Sequence, residues 1–486
     1  MDHQSLWQKT ASFSSELPSL RSDLNCEAVV VGAGLTGVLT AWFLQKQGID
    51  VVVLDSGVPG QNATAHTTAK ITAQHGFFYA NLIQSHGIEN AKKYFYANQS
   101  SIDFFDDLIK SQGISCDFQK TDCYLYARSS SSAIRAELDA LKAVGAGARY
   151  TRETELPFPI SAALKLENQA IFHPLKFLYA LIPHLRIFGN TAVKKLSNGT
   201  LISDYGIIKA KHIIFATRFP FFAFPGLFFS RMHQERSYSL SICNVPPLSS
   251  MYLDANKNGV TFRPWDSQII LSGFGHRTGY ASAQNGYDAL QLFAQRWYPG
   301  YLCTAQWAAE DSIPADNIPY IGQYQHHSTR IYVAAGFQKW GMTSSMTSAR
   351  ILTDLVCGRK NKNTDTFSPH RIPNIKAFGK IIYDGGISTG NLLKQTFYIP
   401  RSKLADIKPG DGGIVQWNGC KYGVFHHESG QYYFVSTRCP HMGCQLSWNP
   451  VERSWDCPCH GSRFSYDGQR LDPPANKNLS CKHREV

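Results

Sequence analysis

The sequence predicts an α/β domain built on a parallel sheet, followed by a small all-β domain. Three features support this prediction. From Cys26 onward, an apolar run meets a glycine-rich turn and then a helical pattern. From about Asn391, short strand-like runs follow one another, such as 413–417 and 431–435. Cysteines and histidines form two compact boxes within that second region, and 486 residues leave room for two or three domains.

The composition narrows the class of protein. Hydrophobic residues make up 43% and charged residues 17%, which is ordinary for a globular protein. The net charge is +12, but Lys and Arg are scattered and form no long basic run, so we expect no nucleic-acid partner. The first twenty residues lack the basic segment and apolar run of a signal peptide. Because Arg218 and two prolines interrupt the apolar stretch 212–229, we expect no transmembrane segment and a cytoplasmic location.

Eight of the twelve cysteines lie outside the two boxes and are scattered along the chain. In a large chain this pattern is typical of reduced thiols rather than of a disulfide framework. We expect free thiols at Cys26, Cys116, Cys123, Cys243, Cys303, Cys357, Cys420 and Cys481.

Residues 26–55 contain a strand, a GxGxxG turn, a helical pattern and a second strand. Gly32 permits the tight turn, Gly34 lets a pyrophosphate approach the backbone, and Gly37 lets the helix pack closely on the strand. Free N–H groups at the helix N-terminus, which follows Gly34 with Leu35 and Thr36, can bind phosphate. The pattern predicts a Rossmann-like dinucleotide site.

Asp55 ends the second strand and can accept hydrogen bonds from a ribose hydroxyl. An acid at this position disfavours a 2′-phosphate. Since no second GxGxxG occurs, one bound dinucleotide is the simpler interpretation, and this unit leaves NAD and FAD open.

Two later motifs carry a resemblance. Residues 316–322 read DNIPYIG and residues 335–343 read AGFQKWGMT. They are similar to the D-x-x-P-x-I-G and G-F-x-x-x-G turns of the D-amino-acid oxidase and glycine oxidase superfamily, and the resemblance covers about residues 26–358. It implies FAD, with an antiparallel-sheet substrate domain interleaved with the FAD-binding domain, and a helix N-terminus beside the flavin. The FAD-binding candidates that it adds are Asp316, Gly336, Gly341, Met342 and Thr343.

The same resemblance implies a division of the chain. FAD-binding parts are expected at about 26–80, 150–235 and 310–358, and substrate parts at about 81–149 and 236–309. Around them we expect an N-terminal extension at 1–25, a polar linker at 359–392 and the small β domain at 393–486.

Further candidates lie in two stretches. The small and hydroxylated residues of 60–72 suit a loop over the flavin, with Thr67, Thr68 and Lys70 as candidates, or else simply a capped polar loop. In the substrate strands, Arg263 and Arg277 could hold a substrate carboxylate, or could be surface charges or internal ion pairs.

The two boxes read CPHMGC from Cys439 and CPCHGS from Cys457. Ligands of these types could bind a structural zinc ion. The boxes also resemble, nearly letter for letter, the C-x-H-x-G-C and C-P-C-H-G-S motifs of the Rieske family over about 395–480. This resemblance implies a [2Fe-2S] cluster with Cys439 and Cys457 on one iron and His441 and His460 on the other. It also implies a disulfide between Cys444 and Cys459.

Two positions near the boxes bear on the reduction potential. Ser462 matches the serine that bonds a bridging sulfide in high-potential Rieske proteins, whereas Phe464 stands where those proteins carry a tyrosine that bonds a cysteine sulfur. Because each such bond raises the potential, we expect an intermediate value.

The combination predicts a dehydrogenase. An FAD domain of this kind takes two electrons from an amine or amino-acid-like substrate, and a Rieske cluster passes electrons singly to an external acceptor. Two alternatives stay open: reverse flow from a donor protein through the cluster to FAD and a bound substrate, and a redox carrier or sensor without a small substrate. No catalytic residue is assigned, because hydride transfer from a neutral amine needs no protein base.

Overall fold

The computed structural model describes residues 3–13, 16–220, 228–256, 259–280, 285–325, 330–373, 377–383, 386, 390 and 403–484. The helices are α1 (Leu6–Thr10), α2 (Leu35–Lys46), α3 (Ala63–His66), α4 (Tyr79–His86), α5 (Ile88–Gln112), α6 (Ser132–Ala143), α7 (Pro174–Leu181), α8 (Phe228–Arg231), α9 (Gly286–Trp297), α10 (Gly341–Val356) and α11 (Thr364–Phe367).

The strands up to the linker are β1 (Leu24–Val31), β2 (Val51–Leu54), β3 (Lys70–Ile71), β4 (Gln119–Ala127), β5 (Arg149–Thr151), β6 (Ala162–Ile171), β7 (Arg186–Phe188), β8 (Val193–Ser197), β9 (Thr200–Ser203), β10 (Ile207–Phe215), β11 (Met232–Cys243), β12 (Met251–Asp254), β13 (Thr261–Trp265), β14 (Gln268–Arg277), β15 (Leu302–Pro314), β16 (Tyr320–Gln323) and β17 (Ile331–Ala335). Those after it are β18 (Gly412–Trp417), β19 (Cys420–His426), β20 (Tyr432–Ser436), β21 (Ser447–Asn449), β22 (Ser454–Asp456), β23 (Arg463–Ser465), β24 (Arg470–Asp472) and β25 (Cys481–Arg484).

The first sheet is the predicted dinucleotide-binding sheet. Its order is β16-β17-β10-β1-β2-β7, with β9 and β8 added beside β10. The central strands β17, β10, β1, β2 and β7 are parallel. Val30, Val51 and Val53 share a buried core with α2 and α10, whereas Val29, Val31 and Val52 belong to a second buried core. Parallel strands buried on both faces read as continuous apolar runs, which is why the sequence showed them clearly.

The second sheet is the expected antiparallel one, in the order β15-β11-β14-β13-β12-β4-β6-β3, with β5 beside β6. Its pairs are antiparallel except for β12 with β4. The stretch 150–235, which we assigned to the FAD-binding parts, is shared between the sheets: β6 joins this antiparallel sheet, whereas β7 to β10 join the parallel one. Pairing partners are set by tertiary contacts, so the sequence pattern of β6 did not reveal them.

The residues from 403 onward form the C-terminal domain. Two antiparallel sheets build it, β18-β19-β20-β25 and β21-β22-β23-β24. Trp455 and Phe464 are fully buried against the cysteines of the two boxes. The fold class is therefore α/β and β, as predicted.

Segments expected to be an extension and a linker contribute to the N-terminal core. Trp7 is fully buried and donates its indole N–H to the carbonyl of Thr67 at 2.6 Å. Arg371 lies in the predicted linker and forms two hydrogen bonds to the Asp316 carboxylate, at 2.6 and 2.7 Å. In the described part of the chain, no helix is long and apolar enough to cross a bilayer.

Replacing Arg371 with Met should lower the free energy of unfolding by about 3–5 kcal/mol, because it leaves the buried Asp316 carboxylate without its cation. The measurement is urea denaturation of the holoprotein followed by tryptophan fluorescence. The control is Arg359→Met, which breaks the ion pair of a half-exposed guanidinium with Asp354 and should cost about 0–1 kcal/mol. Equal losses in the two variants would contradict the prediction.

Candidate functional site

A cavity of about 830 Å³ lies where the two sheets of the N-terminal domain meet the C-terminal domain. Residues of the glycine turn, of β11, β14 and β15, and of the turn before α10 line it. Four residues of the C-terminal domain also reach it: Arg470, Leu471, Pro473 and Asn476. The cavity is therefore built by both parts of the chain.

The glycine turn has the tight backbone packing that the sequence predicted. Gly32 has φ +105°, in the region that favours glycine, and a Cβ there would lie 2.6 Å from the carbonyl oxygen of Ala216. A Cβ on Gly37 would lie 1.8 Å from the carbonyl oxygen of Gly32. Gly32 and Gly34 line the cavity together with Leu35 and Thr36 at the start of α2, whereas Gly37 lies behind them in the helix packing. A side chain at Gly32 or Gly37 would clash with the neighbouring backbone. The open backbone at the N-terminus of α2 is therefore suited to binding a pyrophosphate.

Asp55 lies at the end of β2 and lines the cavity. Its carboxylate accepts hydrogen bonds from the amides of Ala33 at 2.7 Å and Gly57 at 2.9 Å. Burial raises the pKa of this carboxyl, and the two amides oppose the shift. The side chain is thereby held beside the glycine turn, where a ribose hydroxyl of the dinucleotide could donate to it.

Thr67, Thr68 and Lys70, the candidates from the stretch 60–72, also line the cavity. The Lys70 ammonium is buried and donates to the hydroxyls of Thr68 at 3.2 Å and Thr261 at 3.1 Å. Burial lowers the pKa of Lys70 to about 7, so this amine changes charge near neutral pH.

The turn before α10 brings some of its predicted residues to the cavity and leaves others out. Gly341 and Met342 line it. Gly336 does not line the cavity. It has φ +73° and packs closely on Pro314, since a Cβ there would lie 2.7 Å from the Pro314 side chain. Thr343 is also behind the wall, with its hydroxyl 3.4 Å from the carbonyl oxygen of Thr72. The amide of Gln338 donates to the carbonyl of Ser312 at 3.0 Å, which docks the turn on β15.

Asp316, Arg263 and Arg277 do not line the cavity. Asp316 is held by Arg371, and its neighbour Asn317 takes the lining position. Arg263 is fully buried, donates to the carbonyl of Phe172 at 2.6 Å and lies over the Trp7 ring. Arg277 is partly exposed and lies 6.0 Å from the Tyr280 ring. The structure thus gives both arginines surroundings other than a substrate site.

Sequence reasoning missed several charged residues on the cavity wall, among them Glu235, Asp311 and Lys339. The Lys339 ammonium lies 3.8 Å from the Glu235 carboxylate. Burial raises the pKa of Asp311 to about 6, and nearby Lys339 opposes that rise. Lys339 lies within the AGFQKWGMT motif of residues 335–343. Glu235 and Asp311 belong to strands whose cavity-facing side depends on the register of strand pairing, which the local sequence does not reveal.

The predicted metal ligands come together in the C-terminal domain. The rings of His441 and His460 have centroids 4.9 Å apart. The Cys439 sulfur accepts a hydrogen bond from Cys457, which lowers the pKa of Cys439. In the described part of the chain, the buried Nδ1 atoms of both histidines have no hydrogen-bond partner.

Burial lowers the pKa of His441 to about 4 and that of His460 to about 3, so both rings are neutral at pH 7. Neutral imidazole is the form that binds metal. Two buried thiols and two neutral imidazoles, whose Nδ1 atoms lack partners among the described residues, form a donor set that fits a cluster held by Cys₂His₂.

The other two cysteines of the boxes, Cys444 and Cys459, are joined by a disulfide that connects the two loops. Their sulfur atoms and that of Cys457 lie within 4.8 Å of one another. A disulfide sulfur has no thiolate to offer, so this triad is not itself a metal site. The loop of 473–476 covers the boxes, and the amide of Ala475 donates to the Ser462 hydroxyl at 2.9 Å.

A buried network of charged side chains joins the two domains. From the N-terminal domain it includes Arg218, Arg236 and Glu310, and from the C-terminal domain Glu452, Asp456, Arg463 and Asp472. Arg218 contacts Glu310 at 2.9 Å and Asp472 at 2.8 Å. Burial and the neighbouring Asp472 raise the pKa of Glu310 to about 8.

Comparison with known proteins agrees with this geometry. A family model described as FAD dependent oxidoreductase matches residues 27–355. The chain belongs to this family of FAD-dependent oxidoreductases. A second model, described as Rieske [2Fe-2S] domain, matches residues 398–483. FAD and a Rieske [2Fe-2S] cluster are therefore the cofactors of this oxidoreductase, and the zinc alternative is excluded.

Similar proteins share one or both parts. A Bacillus subtilis protein named "Putative Rieske 2Fe-2S iron-sulfur protein YhfW" is 34% identical over 97% of this chain and 96% of its own. Glycine oxidase from Geobacillus kaustophilus superposes with a TM-score of 0.61 and 16% identity, over 72% of this chain and 99% of its own. L-amino acid deaminase from Proteus vulgaris superposes with a TM-score of 0.58 and 15% identity, over 74% of this chain and 100% of its own. These two structures share the fold of the FAD-dependent part.

Replacing Phe464 with Tyr should raise the midpoint potential of the Rieske cluster, because the added hydroxyl can donate to a cysteine sulfur. Phe464 is fully buried among Cys439, Cys457 and Trp455. The measurement is a redox titration followed by EPR, with Phe434→Tyr as a control in the separate core around Val415. An unchanged potential in Phe464→Tyr, with the hydroxyl seated in the core, would refute the prediction.

Proposed function

We propose that this oxidoreductase is a dehydrogenase for an amine or amino-acid-like substrate, with an external one-electron acceptor protein. When bound, FAD accepts two electrons as a hydride and the Rieske cluster exchanges them singly. The observation that carries the proposal is the shared cavity, whose wall comes from both the FAD-dependent part and the Rieske domain.

The charged residues of the wall support an amine as substrate. Glu235 and Asp311 project from neighbouring antiparallel strands into the cavity, with Lys339 beside them. In the described part of the chain, the Asp311 carboxylate has no hydrogen-bond or ion-pair partner. A carboxylate inside a protein cavity attracts a protonated amine more strongly than one in bulk water, because the effective dielectric constant is lower. Asp311 is therefore placed to bind the amino group and to accept its proton.

The hydroxyl groups of the wall would orient the rest of the substrate. Ser237, Ser239 and Ser272 line the cavity on β11 and β14, and each can donate or accept. Lys70 and Lys339 are two of the cations that line the cavity and could bind a substrate carboxylate, whereas Arg263 and Arg277 are not among the lining residues. An amino acid and a simple amine are thus both compatible with the wall.

Electron exchange within one chain is supported by the orientation of the boxes. The ring of Phe229, in α8 of the N-terminal domain, lies 5.4 Å from His460 and 6.1 Å from His441. The histidine side of the proposed ligand set therefore contacts the FAD-dependent part. Ion pairs of Arg218 with Asp472 and of Arg236 with Glu452 stabilise this arrangement, which supports electron exchange between the two parts.

A cytoplasmic location is part of the proposal. The eight scattered cysteines are free thiols, as predicted, which agrees with a reducing compartment. The Cys444–Cys459 disulfide is almost fully buried, and burial protects it from soluble thiols.

The deciding experiment is anaerobic addition of candidate amines and amino acids to the holoprotein. We expect loss of the flavin absorbance, followed by loss of the absorbance of the oxidised cluster. Failure of every amine to bleach the flavin, together with ready reduction of the protein by a ferredoxin, would overturn the proposal and favour reverse electron flow.

Replacing Asp311 with Asn should raise the KM for an amine substrate about tenfold, because one attractive charge is lost. In the wild type, KM should also rise as the pH falls through about 6, where the carboxyl becomes protonated and neutral, and this dependence should disappear in the variant. Steady-state kinetics across that range test both expectations. Asp288→Asn, an exposed position on α9, is the control, and an unaltered pH profile in Asp311→Asn would count against the assignment.

A further inference from the structure

Gln234 lies on β11, where the antiparallel sheet meets the second box of the Rieske domain. Its side chain is buried, and Nε2 donates hydrogen bonds to the carbonyl oxygens of His460 at 3.1 Å and Pro473 at 3.0 Å. The contact is tight, since a Cβ on Gly461 would lie 2.6 Å from the Cβ of Gln234. One amide group thus holds both the loop of a proposed iron ligand and the loop that covers the cluster.

The oxygen of the same amide contacts the wall of the cavity between the two domains. The Ser312 hydroxyl donates to Gln234 Oε1 at 3.5 Å, and Ser312 lines the cavity. The carbonyl of Ser312 also accepts the amide hydrogen of Gln338, in the turn that leads into α10. A continuous line of hydrogen bonds therefore runs from the backbone of His460 through Gln234 to the cavity wall.

Only an amide of this length supplies the required donors and acceptor. Glutamine offers two N–H donors and one carbonyl acceptor, and all three are used here. A glutamate would place carboxylate oxygens against two carbonyl oxygens, and an apolar residue would leave three buried polar groups without partners. The use of every donor and acceptor indicates a specific role for this side chain.

We propose that Gln234 is the positioning residue for electron exchange between FAD and the Rieske cluster. It would hold the His460 loop against the cavity wall and provide a hydrogen-bonded connection between them. The step transfers one electron between reduced FAD and the oxidised cluster, with no bond formed or broken. The proposal rests on the part of the proposed function in which electrons cross between the two centres, and it holds for either direction of flow.

The test uses full-length holoprotein with matched FAD and cluster contents, in Gln234→Leu and Ser312→Ala variants. A laser flash reduces the flavin in the presence of a sacrificial donor, and the reduction of the cluster is followed by absorbance. We expect the inter-centre rate to fall about tenfold in Gln234→Leu, as for other losses of groups that orient metal ligands. A smaller decrease is expected in Ser312→Ala, which removes the contact with the cavity wall and leaves the His460 loop untouched.

The control is Gln306→Leu. Gln306 is a buried glutamine on β15 of the same sheet, accepts a hydrogen bond from Gln291 and does not line the cavity. Its rate should equal that of the wild type. The midpoint potentials and the cluster EPR spectrum should be unchanged in all three variants, which separates a positioning role from a general loss of structure.

A wild-type rate in Gln234→Leu, with both cofactors present, would overturn the proposal. So would a rate loss fully explained by a shifted midpoint potential. If Gln234→Leu fails to fold, Ser312→Ala decides, and an unchanged rate there overturns the proposal as well. The flash requires no substrate, so failure to find an amine substrate leaves this result readable, and an unchanged rate leaves the substrate proposal standing.

Discussion

The arrangement of this oxidoreductase depends on one buried network of charges between its two domains. Arg218 and Arg236 from the FAD-dependent part contact Asp472 and Glu452 of the Rieske domain, whose own Arg463 completes the network. Burying charge is costly, and the cost is offset only when each group keeps its partners. Separating the domains would break the pairs of Arg218 with Asp472 and of Arg236 with Glu452, so the network favours this arrangement of the two domains.

The network also explains an unusual residue. Arg218, which follows the end of β10, has a left-handed backbone with φ +63°. Such a conformation costs a non-glycine residue on the order of 1 kcal/mol or more. The side chain offsets this cost by contacting Glu310 and Asp472 together. Because the pKa of Glu310 is raised to about 8, we expect this residue to carry a proton at neutral pH, which balances the three arginines against three remaining carboxylates.

The position of the Rieske domain determines part of the cavity wall. Its loop at 470–476 supplies part of the wall, and the rings of its two predicted histidine ligands contact Phe229 rather than lying fully open to solvent. Under the proposed function, the substrate site and the route to the cluster would both lie at this interface between the domains. Both domains contribute residues to the cavity wall, so neither domain alone would form this cavity.

The sequence was sufficient to predict sites that are formed by a few consecutive residues. The glycines of 32–37, Asp55 and the two boxes could be recognised because a tight turn, a strand end and closely spaced ligands are properties of a few consecutive residues. Asp316 and Arg263 show the limit of such reasoning. Their patterns or positions suggested cofactor and substrate contacts, but distant partners, Arg371 and the Phe172 carbonyl, hold their side chains elsewhere.

The sequence by itself determined the fold class, because the strand, turn and helix patterns are local, and it determined the two cofactors and the family through motifs that resemble those of known families. Only the tertiary structure decided which charges line the cavity, how the Rieske domain sits on the FAD-dependent part, and that Gln234 lies between them. Those features depend on strand register and on pairs of residues more than two hundred positions apart, such as Gln234 and His460. No local pattern in the chain encodes such contacts, since they form only when the two domains pack together.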